Sequence, residues 1–220
     1  MDPFRPRPDA LPTVLPIFPL AGALLLPGAR LPLNIFEPRF LAMVEEALAG
    51  GRLIGMVLPD PALPRLNNRS IPYRTGCLGR IASFAETEDG RYLITLRGLA
   101  RFDLLEELPE TPREVRRVRP GYGPYLADLD ENPAHAEPDR TALMAALRPY
   151  FHRHGIEADW AAVERAAPDA LVTTLCMICP FSDAEKQTLL IAPDAAKRAE
   201  LLISLLRIDS AGPAAGGRPS

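Results

Sequence analysis

The stretch from Leu15 to Met43 constrains what this chain can fold into more than any other part of it. Leu15-Pro16-Ile17-Phe18-Pro19-Leu20 is apolar but carries two prolines, which lack the N–H that a central strand needs. It therefore reads as a short, broken edge strand. Leu24, Leu25 and Leu26 form a second apolar run, closed by the turn signal Pro27-Gly28. Leu31 to Phe36 supplies a third extended piece. Pro38 then fits the first position of a helix, where its fixed φ and missing N–H cost nothing. Phe40, Leu41, Val44, Ala47 and Leu48 recur at helical spacing until Gly50-Gly51 stops the helix. Glu37, just ahead of it, favours the positive end of that helix by about 0.3–1 kcal/mol.

The next segments continue the β pattern. Leu53 to Leu58 is a compact apolar run, read as a buried strand. Residues 59–72 hold Pro59, Pro61, Pro64, Asn67, Asn68 and Pro72, and read as a long loop. A hairpin follows: Leu78, Ala82 and Phe84 alternate on one strand and Tyr92, Ile94 and Leu96 on the next, with Asp89-Gly90 as the turn. Gly98 permits a sharp turn into a strand carrying Ala100, Phe102 and Leu104. Arg113 to Arg119 offers one last strand.

Beyond a Gly-, Pro- and Asp-rich stretch the periodicity turns helical. Leu143, Leu147 and Phe151 mark one helix, ended by Gly155, and Trp160 and Val163 a second. Leu171, Val172, Leu175, Ile178 and Cys179 suit a third, closed at Pro180. Ser182 and Glu185 form a capping box for a fourth, and Pro193-Asp194 opens a fifth with Leu201, Leu202, Leu205 and Leu206 inward. The expected organisation is a flexible arm (1–10), a β-barrel domain (11–120), a linker (121–138), a helical bundle (139–209) and a disordered tail (210–220). The fold class is α+β.

Composition narrows the function. A hydrophobic share of 47% and a charged share of 24% are ordinary globular usage. A net charge of -3 provides no global basic field for nucleic acid or anionic lipid. No apolar run approaches the roughly 20 residues that span a bilayer, and the N-terminus lacks the pattern of a secretory signal. Three cysteines are too few for a disulfide framework and fit a reducing compartment, read as the cytoplasm.

The same Leu15–Met43 residues, through Leu31-Pro32-Leu33 and Phe36-Glu37-Pro38-Arg39-Phe40, resemble the start of the Lon N-terminal domain, the substrate-recognition part of ATP-dependent Lon proteases. The resemblance continues at Gly76 to Phe84, Gly90 to Leu96, Arg97-Gly98-Leu99-Ala100-Arg101-Phe102 and Pro180-Phe181-Ser182-Asp183-Ala184-Glu185-Lys186-Gln187. The pattern is most like the short, stand-alone bacterial members. It implies a PUA-like β-barrel followed by a helical bundle, and a role in binding polypeptide. No G-x-x-x-x-G-K-[ST] phosphate loop is present: Gly22 and Gly28 are wrongly spaced and no lysine follows Gly28.

Each candidate for chemistry has a plainer reading. Ser182 and Lys186 lie one turn apart, as a Ser–Lys peptidase dyad would, but read as a helix cap and a solvated charge. Cys176-Met177-Ile178-Cys179 lies on an apolar helical face near a C-terminus, where the dipole disfavours thiolate. Cys77, His135, His152 and His154 are too scattered to complete a zinc site. No catalytic residue, cofactor or metal is therefore expected. Two surfaces remain as binding candidates. Leu63, Leu66 and Ile71 on the 59–72 loop offer apolar contacts to an extended or unfolded polypeptide. Arg113, Arg116, Arg117 and Arg119, followed by Tyr122 and Tyr125, offer phosphate and base contacts to RNA, or simply guard an edge strand.

Overall fold

The computed structural model describes residues 6–66, 69–130 and 138–211. Among these residues, β1 (Leu15–Pro19), β2 (Arg30–Ile35), α1 (Pro38–Ala49), β3 (Leu53–Val57), β4 (Thr75–Glu86), β5 (Tyr92–Leu108) and β6 (Arg117–Gly121) follow one another. A 3-10 helix, Gly123–Leu129, leads on to α2 (Arg140–His154), α3 (Trp160–Arg165), α4 (Pro168–Ile178), α5 (Asp183–Leu190) and α6 (Ala195–Ala211). The α+β class holds. The chain forms two compact units. One joins the sheet to Pro180–Leu190, and the other joins α2, α3 and α4 to α6. Residues 180–190 thus group with the sheet, not with the helices around them in sequence.

The sheet runs β2-β5-β4-β3-β1-β6 and is mixed, because β1 and β3 pair in parallel across the α1 crossover. It coils until β6, beside β1, also pairs with the far half of β5. The barrel is nevertheless not a fully closed one: among the described residues β2 pairs only with β5 and leaves an open edge. Leu15, Ile17, Val57, Leu78, Leu99, Phe102 and Val118 fill the coil from five strands. The Phe102 ring crosses this core where Gly76 leaves space; a Cβ there would sit 2.6 Å from the Met56 carbonyl oxygen.

Three local expectations are corrected. Leu24–Leu26 is buried but forms no strand; it packs as a connection between β1 and β2. Gly98 is no turn: β5 runs straight through it, with a bulge in its pairing to β4 that lets the long strand bend. The loop carbonyl of Leu26 lies against Gly98, and the Gly28 and Gly98 amides pair with the carbonyls of Gly98 and Ala29. A second register shift follows Ile81, and β4 is exposed from Ala82 to Glu86, so Phe84 stays 41% exposed beside Tyr92.

The start of the expected linker is structured. Its 3-10 helix lies on β5, held by Asp128 and by Tyr125, whose hydroxyl donates to Asp103. Residues 131–137 of that linker, 1–5 of the arm and 212–220 of the tail lie outside the described residues. In the second unit, Asp139, Asp159 and Asp194 accept from backbone amides of their own first turns and start α2, α3 and α6. Gly155 ends α2 in the left-handed conformation, φ 62°. Leu143, Leu147, Tyr150, Leu202 and Leu206 are fully buried there. No described helix is long and apolar enough to cross a membrane.

Candidate functional site

The 59–72 loop is the natural place to build from, because its prolines keep it out of the ladder while its base is tied down. The Asp60 amide donates to the Ile71 carbonyl at 2.8 Å and the Tyr73 amide to the Leu58 carbonyl at 2.9 Å. Near the tip, Leu66 and Arg69 exchange two backbone hydrogen bonds of 2.9 Å. Ion pairs then strap the loop down. Arg69 reaches Glu110 and Glu114, while Arg116 donates to the Ser70 carbonyl and grips Glu107 with two bonds of 2.6 and 2.9 Å.

Strapped in this way, the loop walls two concavities. One, of about 140 Å³, has an apolar lining of Ile17, Phe40, Met43 and Val115. Arg39, Arg65, Arg69 and Arg116 line it as well, with Glu114. The other is an open groove of about 410 Å³, lined by Leu66 and Ile71 together with Arg69, Arg116, Glu107 and Glu110.

Of the three apolar loop residues expected to meet polypeptide, Leu66 (67% exposed) and Ile71 share this groove. Leu63 is exposed but lines neither concavity. The arginine cluster is dispersed into pairs: Arg113 to Glu45, Arg116 to Glu107 and Arg119 to Glu106. The Arg113 and Tyr92 hydrogen bonds hold the Glu45 carboxyl below its usual range. Arg117 donates to the Pro109 carbonyl. Tyr122 packs on Phe102 and donates to the Pro12 carbonyl, and burial pushes its phenol pKa up. Only Arg116 of this cluster joins the loop site.

Ser182 is the expected cap. Its amide and hydroxyl donate to Glu185, whose own amide donates back to the Ser182 hydroxyl. Lys186, expected in solvent, is instead 4% exposed, and its ammonium donates to the Gly22 carbonyl at 2.5 Å. Asp183 accepts from the Gly22 amide at 2.7 Å, so α5 latches both sides of that glycine. The sequence reading missed this because the pairing spans 164 positions. Lys186→Met is expected to lower stability by about 1–3 kcal/mol, read from urea unfolding, because the part-buried bond from the Lys186 ammonium to the Gly22 carbonyl is lost. An unchanged midpoint would return Lys186 to the surface.

All three cysteines are buried thiols outside any disulfide. Burial pushes the Cys176 thiol up to about 12, far from the lowered value of a reactive thiolate. In the unfolded chain the thiol titrates near about 8.5. Since the folded value is the higher one, its contribution is complete below about pH 8.5 and is lost as pH rises toward about 12. Native protein is expected to leave an aromatic disulfide reagent unreacted at neutral pH and to react only after denaturation; rapid native reaction would contradict it. His152 is exposed and His154 hydrogen-bonds Asp209, and no group of three or more metal-type ligands occurs among the described residues.

A family model for the substrate-binding domain of ATP-dependent protease La (Lon) matches residues 14–207. The chain belongs to the Lon substrate-binding domain family. It is 29% identical to a Lon protease of Syntrophus aciditrophicus over 199 residues, 86% of this chain and 24% of that one. A Lon protease of Parabacteroides distasonis is 29% identical over 215 residues, 87% of this chain and 23% of that one. The chain spans 13–24% of the length of the curated Lon relatives it matches. The crystal structure of a Lon N-terminal domain protein from Xanthomonas campestris shares the fold, with a TM-score of 0.59 at 24% identity, covering 87% of this chain and 98% of that one. The N-terminal domain of a Mycobacterium avium complex Lon protease gives a TM-score of 0.55 at 18% identity, covering 88% and 97%. The Lon family span takes in the 59–72 loop, its ion-pair straps and the α5 latch.

Proposed function

We propose that this chain is a non-catalytic recognition module that binds unfolded or extended polypeptide, as an adaptor in cytoplasmic protein quality control. The observation that carries the reading is the groove at the 59–72 loop, where exposed Leu66 and half-buried Ile71 lie beside backed-up charged residues. A contact surface that sets two apolar side chains beside fixed charged groups suits chains of varied sequence. Family membership supports the same reading, since the matched region is the substrate-binding part of Lon. The RNA alternative receives no comparable support, because Arg113, Arg116 and Arg119 already carry carboxylate partners.

The test is fluorescence anisotropy with a labelled, permanently unfolded protein and its native form. Preferential binding of the unfolded form is expected, weakened about tenfold by Leu66→Asp, the cost of moving a buried apolar contact to a charged group. Equal binding of both forms, or none of either, would overturn the reading.

A further inference from the structure

We propose that the smaller cavity beneath the 59–72 loop takes the C-terminal residue of a polypeptide, with its apolar side chain among Ile17, Phe40, Met43 and Val115 and its free α-carboxylate on Arg65. The proposal rests on the polypeptide-binding reading above and names what that site selects. Size is the first argument. At about 140 Å³ the cavity approaches the size of an engineered apolar cavity that binds benzene, so it admits one side chain and little more.

Charge is the second. Arg39, Arg65, Arg69 and Arg116 line the cavity against a single lining carboxylate, Glu114. Arg39 already holds Glu37, Arg69 holds Glu110 and Glu114, and Arg116 holds Glu107. Those three are committed to carboxylates, as Arg113 and Arg119 are elsewhere, so an incoming anion falls to the fourth. Arg65 is exposed and has no ion-pair partner among the described residues, so its charge is uncommitted.

The combination selects the occupant. A phosphate would use Arg65 and leave the apolar wall empty. An Asp or Glu side chain brings charge without apolar bulk, and an internal Leu or Phe brings bulk without charge. A chain end with an apolar last residue brings both, with the carboxylate and the side chain on one Cα. It also needs only one path out of the cavity, where an internal residue needs two.

Three labelled probes test this on the full chain by anisotropy: a short peptide ending in leucine with a free carboxylate, the same peptide amidated, and the unfolded protein used above. The acid is expected to bind about tenfold or more tightly than the amide, the effect of one charge-assisted contact. Arg65→Glu, an exposed substitution, is expected to bring the acid down to the amide's affinity. Equal affinity of acid and amide overturns the proposal while unfolded protein still binds. An acid preference that survives Arg65→Glu overturns it too. Failure of all three probes to bind overturns the polypeptide reading itself.

Discussion

Arg101→Ala is expected to lower the unfolding free energy by about 3–5 kcal/mol, the range for breaking a buried ion pair from one side. The Arg101 side chain is 7% exposed and that of Asp128 12%. Its Nε and Nη2 each reach Asp128 at 2.8 Å, and its backbone amide donates to the same carboxylate at 2.9 Å. Nη1 reaches the Leu190 carbonyl at 3.4 Å, and the guanidinium lies 4.8 Å from the centre of the Tyr125 ring. Burial works against the Arg101 charge, but the Asp128 hydrogen bonds and charge more than offset it, and the guanidinium pKa is raised. One side chain on β5 therefore holds both the 3-10 helix and the end of α5. Arg101→Lys is expected to rescue little, because a point charge cannot span both Asp128 oxygens in a fixed plane. The double change Arg101→Met with Asp128→Leu should recover part of the loss, since no stranded charge remains. Urea unfolding of the three variants decides it. A loss below about 1 kcal/mol for Arg101→Ala would make this a solvated pair of small worth.

What could be read in the sequence was local. Pro38 at a helix start, Asp89-Gly90 between two alternating runs, and the Ser182–Glu185 box each act over a few residues, and each stands where its own chemistry puts it. The proline-rich 59–72 segment also declared itself, because four prolines preclude a ladder. Long-range pairings were hidden. Arg101 drew no reading of its own beside Ala100 and Phe102, and its partner Asp128 lay in what read as linker. Lys186 looked solvent-facing because nothing nearby in sequence announces the Gly22 carbonyl. The arginine run looked like a basic patch for the same reason: Glu45, Glu106 and Glu107, which neutralise it, come from α1 and β5. For the candidate site, the exposed leucine could be read from the loop itself. The cavity could not, because its wall comes from β1, α1 and the segment before β6.

Gly98→Ala is expected to be the more damaging of two single-methyl changes, removing about 2–5 kcal/mol or preventing soluble folding altogether. A Cβ at Gly98 would lie 2.1 Å from the Leu26 carbonyl oxygen and 2.8 Å from its carbon, both backbone atoms. That carbonyl cannot swing aside freely, because it accepts from the Ala29 amide at 3.1 Å. The neighbouring Gly28–Gly98 and Gly98–Ala29 bonds, at 3.0 and 2.9 Å, fix the connection against β5. Relief would require overpacking strain of about 1–3 kcal/mol plus the loss of one or two hydrogen bonds at about 1 kcal/mol each. Leu24, Leu25 and Leu26 would be displaced with the connection, and all three are at most 1% exposed. Gly90→Ala supplies the control. Gly90 sits at φ 76° in the β4–β5 turn with nothing within 4 Å of its would-be Cβ, so only backbone strain of about 1–2 kcal/mol applies. Thermal unfolding followed by circular dichroism should therefore rank wild type first, Gly90→Ala a little below it, and Gly98→Ala far below. If the two alanine variants melted together, the Leu26 connection would be free to move, and the bend of β5 at Gly98 would not depend on it.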